Sequence, residues 1–92
     1  MGVLWNSLMQ KPNYSYGIGV QFEPDTPVAY EYAIAERYVE QYQAELLDDP
    51  LPHDYMLVFP NLSERQVKEI VGILMDTDYV LRSIFVTVDI VD

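Results

Sequence analysis

Asp48, Asp49, His53 and Asp54 form the one run of this chain whose side chains suit a metal ion. Divalent cations accept carboxylates together with imidazole. The run also holds two prolines, a single His and no established ligand spacing, so no metal is assigned to it. Asp76-Thr77-Asp78 lacks the Gly and the distal Glu of a calcium loop and reads as a turn. Gly17-Ile18-Gly19 lacks the further Gly, at the Phe22 position, and the helix opening directly after it that a dinucleotide fingerprint requires. Nucleophilic catalysis needs a Ser, His53 and an acid to converge, and no motif brings them together. The chain is therefore expected to be non-enzymatic and to take no cofactor.

The chemistry that stands out is electrostatic. The net charge is -10, and nine of the fifteen acids, against one base, lie between Glu23 and Asp54. A concentrated field selects partners and speeds encounter. Glu36, Glu40 and Glu45, continued by Asp48 and Asp49, read as a row of carboxylates able to imitate phosphates before a Lys/Arg-lined groove. Tyr30, Ile34 and Tyr38 recur at i, i+4 and i+8 on a face turned away from the expected core stripe. There they would anchor a docking surface, Tyr being a typical interface residue. Glu45, Asp48 and Asp49 also crowd the expected helix C-terminus, where each acid is unfavourable by about 0.3–1 kcal/mol and a basic partner would compensate. The competing reading is an acidic surface that serves solubility alone.

These residues predict an acidic protein-binding module, an inhibitor or regulator that occludes a basic, nucleic-acid-binding site on a larger protein. A nucleic-acid mimic of viral or mobile-element type fits that description. The expected partner is a basic protein. Like charge disfavours direct binding of nucleic acid or of an anionic membrane surface. One alternative is a self-associating structural or assembly subunit, a homodimer pairing through the C-terminal strand Leu81 to Val91. Another is an immunity protein or antitoxin.

The elements that must position these residues follow from periodicity. The chain has 92 residues, half of them hydrophobic, which suits one domain. It has no Cys, which fits a reducing compartment, and no stretch long enough to span a membrane, so a cytoplasmic place is expected. Residues 1–13 are ambiguous between a helical turn and a strand, with Trp5 expected against the core. Tyr14, Tyr16, Ile18, Val20 and Phe22 alternate as the inward face of a strand. Thr26 and Pro27 open a helix running to about Leu47, with Val28, Tyr32, Ala35, Val39, Tyr42 and Leu46 as its core stripe. Tyr55–Phe59 reads as a central strand. Ser63 to Gln66 is a capping box opening a second helix to about Met75. The last strand is expected to face Ile84, Val86, Val88 and Ile90 inward, and Ser83, Phe85, Thr87 and Asp89 outward. The predicted fold is an α+β two-layer sandwich. It has a three- or four-stranded sheet with two helices on one face, in β-α-β-α-β order.

Overall fold

The computed structural model describes residues 14–47 and 53–89. The elements run β1 (Tyr14–Phe22), α1 (Val28–Tyr42), β2 (Glu45–Leu47), β3 (Asp54–Phe59), α2 (Glu64–Met75) and β4 (Val80–Asp89). They form an α+β sandwich whose four-stranded sheet has the order β2-β3-β1-β4, with every neighbouring pair antiparallel. Each helix thus joins two strands that have a third strand between them, which is the split β-α-β arrangement. The fourth strand is β2. The sequence reading allowed an extra strand only within residues 1–13, and those, with Trp5, lie outside the described residues.

β1 sits at the centre because it alternates without interruption. Ile18, Val20 and Phe22 are buried, and Leu57 and Phe59 on β3, paired with Ile18 and Tyr16, complete the inner face. α2 closes over them with Val67, Ile70 and Leu74. Its capping box is formed as expected: Ser63 Oγ accepts from the Gln66 backbone N–H at 3.3 Å, and the Gln66 side chain accepts from Ser63 N–H at 2.9 Å. Such a cap contributes about 1 kcal/mol.

α1 departs from the sequence reading in three ways. It begins after Pro27, whose side chain makes no cap bond, while the Thr26 hydroxyl is buried without a partner among the described residues. It stops at Tyr42, because Gln43 adopts a left-handed conformation (φ 57°) and sends the chain into β2. The helix is also rotated about its axis. Its buried residues are Glu31, Ile34, Ala35 and Tyr38, while Val28 and Tyr32 face solvent. The expected stripe had placed Glu31 outside because it is charged; it is 1% exposed.

β4 is inverted relative to expectation. Its register sets Phe85 opposite Ile18 and Ser83 opposite Val20, so these residues face the helices. Phe85 stacks on Tyr16 with ring centroids 5.6 Å apart, and Lys68 of α2 lies over its ring. Ile84, Val86 and Val88 face away from the helices. Among the described residues no helix is long and apolar enough to cross a membrane.

Candidate functional site: the open face of the sheet

Register fixes what the helix-free face presents. One row across the sheet reads Leu47, Met56, Gly19, Ile84, and the next reads Glu45, Val58, Gly17, Val86. Ser15 and Val88 extend the second end, and Asp54, Gln21 and Arg82 close the first. An uncovered antiparallel face is ordinarily polar. This one is apolar in its first row, where Leu47 and Ile84 are 42% and 46% exposed, while in the second row Val58 is 5% exposed and Gly17 is buried. Two rows of four positions, at a strand spacing of about 4.8 Å and a same-face repeat of about 6.8 Å, cover on the order of 260 Å².

The two glycines shape this surface differently. A Cβ on Gly17 would sit 2.8 Å from the Leu57 carbonyl oxygen and 3.3 Å from a Val88 methyl, so only Gly allows this backbone approach. A Cβ on Gly19 would meet only the Met56 methyl, at 3.8 Å. The Gly19 end is a shallow depression of about 200 Å³ bordered by Met56, Ile84, Asp54 and Arg82.

The acids expected to act together do not share a face. Glu36 and Glu40 are exposed on the outer surface of α1. Glu45 belongs to β2, pairs with Val58 and borders the open sheet face on the opposite side of the molecule. Asp48 and Asp49 lie outside the described residues. The expected anchors are also placed differently: Ile34 and Tyr38 are core residues, 5% and 4% exposed. Tyr30 is half-buried, and its hydroxyl donates to the Asp78 carbonyl oxygen at 2.9 Å. Among the described residues, Lys and Arg meet acids in exposed pairs on α2, Glu64–Lys68 and Arg65–Glu69. Such pairs contribute little.

His53 and Asp54, read together as ligand types, diverge. Asp54 stands on the open face, whereas the His53 ring turns to the helix side, its Nδ1 bonded to Glu31 Oε2. The Tyr55 hydroxyl donates to Glu31 Oε1 at 2.7 Å. Glu31 lies in the first turn of α1, where the helix dipole favours a carboxylate. Burial, then the bond to Glu31 and the charge beside it, push the Tyr55 phenol well above its ordinary value of 10.0. Phe22, Tyr32 and Tyr55 pack edge to face around this group, and the space beside Tyr55 and Leu57 holds no water-sized cavity. The cluster ties the start of β3 to α1. Because the native phenol keeps its proton above pH 10 while the unfolded one releases it, stability falls as pH rises past 10. Tyr55→Phe should flatten that fall in urea titrations on either side of pH 10; an unchanged slope would contradict it.

Sequence reasoning expected an open sheet face and a bare glycine side on β1, but it assigned Ile84, Val86 and Val88 to the core and so missed the aliphatic residues that stand on that face. Comparisons with protein-family models, with curated proteins and with solved structures find no match.

Proposed function

We propose that this chain is a non-catalytic, acidic protein-binding module that docks on a basic partner through the open face of its sheet. The observation that carries the reading is the apolar row of Leu47, Met56 and Ile84, with Val86 beside it, on the face away from both helices. Glu45 and Asp54 border it, and the net charge of -10 steers a basic protein towards it. Apolar burial would supply the affinity and the acids the encounter rate. The regulatory role expected from the sequence, occlusion of a basic site on a larger protein, is kept, with the contact moved from α1 to the sheet. The lack of Cys agrees with a cytoplasmic place.

The test is a calorimetric titration with a synthetic amphipathic helix of Lys and Leu. Met56→Lys should weaken binding about tenfold, equivalent to about 1.4 kcal/mol. Glu36→Lys with Glu40→Lys should slow association and leave most of the affinity in place. Binding that ignores Met56→Lys, or that raised salt does not slow, would overturn the reading.

A further inference from the structure

We propose that two copies of this chain pair along β4, antiparallel, to make one continuous eight-stranded sheet. Among the described residues β4 is an edge of the sheet. It is ten residues long, whereas the opposite edge, β2, has three. Proteins blunt such edges with Pro, bulges, charges or covering elements. Here a single irregularity, the extra residue Leu81 opposite Gln21 and Phe22, marks the first turn of the strand. From Ser83 to Val88 there is no Pro, no charge and no break in register.

Charge selects a second copy as the occupant. The chain carries -10, yet β4 holds one cation, Arg82, and one anion, Asp89. It is a segment along which two such acidic molecules can approach without setting like charges against each other. Directly opposed residues in an antiparallel pair share a face. A two-fold axis through Phe85 satisfies this, setting Ile84 opposite Val86, Ser83 opposite Thr87 and Arg82 opposite Val88 of the other copy. The contact is isologous and closes at two chains.

The pairing also doubles the docking face, and to that extent its purpose rests on the proposed function. One face of on the order of 260 Å² falls far short of the roughly 800 Å² per partner of a standard interface. Two faces joined edge to edge through β4 come to on the order of 520 Å², by the same strand spacings.

The test is sedimentation velocity of the full chain across a concentration series, with amide exchange of β4 read in parallel. The expected result is a concentration-dependent dimer in which every amide from Ser83 to Val88 is protected. In the monomer only the alternate amides bonded to β1 are protected. Thr87→Lys places a charge on the edge, on the helix side and outside the docking face, and should raise the dimer dissociation constant at least about tenfold. Met56→Lys should leave the dimer intact while weakening binding of the Lys/Leu helix about tenfold, which separates failure of this proposal from failure of the docking reading. A strict monomer at every concentration, alternating protection that persists at the highest, or a dimer indifferent to Thr87→Lys would each overturn it.

Discussion

His53→Asn should lower the unfolding free energy by about 3 kcal/mol, out of a total of about 5–14 kcal/mol for a chain of this length. The carboxylate of Glu31 is 1% exposed, and its Oε2 is bonded to the His53 ring. Removing the imidazole strands a buried charge that Tyr55 alone must hold, and an uncompensated buried charge is among the costliest defects a fold can carry. Asn is the informative replacement because His53 sits at φ 68°, a left-handed conformation that Asn tolerates and Ala does not. Glu31→Gln removes the charge and keeps hydrogen-bonding groups for both neighbours, so it should cost about 1 kcal/mol. Urea denaturation of the two variants checks the order. Equal, small losses would mean that the cluster carries no buried charge.

Gly17→Ala should cost about 2–3 kcal/mol or prevent folding, whereas Gly19→Ala should change stability by less than about 1 kcal/mol. The two positions lie two residues apart on one strand and share a face, so propensity does not separate them. What separates them is the 2.8 Å approach of a Gly17 Cβ to the Leu57 carbonyl oxygen, an atom fixed in the central pairing of the sheet. Gly19 has only a mobile methionine methyl at 3.8 Å. Thermal unfolding of both variants tests the pair. Equal melting temperatures would contradict the packing described for the open face.

The outline of this fold was written plainly where one physical rule acted alone. β1 follows from strict alternation and α2 from its capping box and apolar spacing. The sandwich follows from the order of the elements. The sequence misled where two rules competed. On α1, the rule that charges stay outside opposed a helical phase that buries Glu31, and the phase won because His53 and Tyr55 supply its partners. His53 is 22 residues away along the chain, so no local pattern signals the pairing. On β4, hydrophobic alternation was sound, but it could not say which face the helices cover. Ser83 and Thr87 line the covered side, and three aliphatic residues are left on the other. β2 was hidden because three residues are too few for periodicity, and Gln43 is an unremarkable residue at which to leave a helix.

The acidic row was legible as composition but not as geometry. Even on a helix continued to Leu47, about 100° per residue would have set Glu45 about 180° from Glu36 and about 140° from Glu40. Ending it at Tyr42 sends Glu45 to the other side of the molecule. The proposed docking surface is therefore apolar at its centre and acidic at its border, and it lies on strands.

The most direct measurement is an amide chemical-shift map of the isotope-labelled full chain on titration with the Lys/Leu amphipathic helix. The account predicts perturbations centred on Leu47, Met56, Val58, Ile84 and Val86, with weaker ones at Glu45 and Asp54. Perturbations confined to Glu36, Glu40 and the outer surface of α1, with the sheet silent, would contradict it.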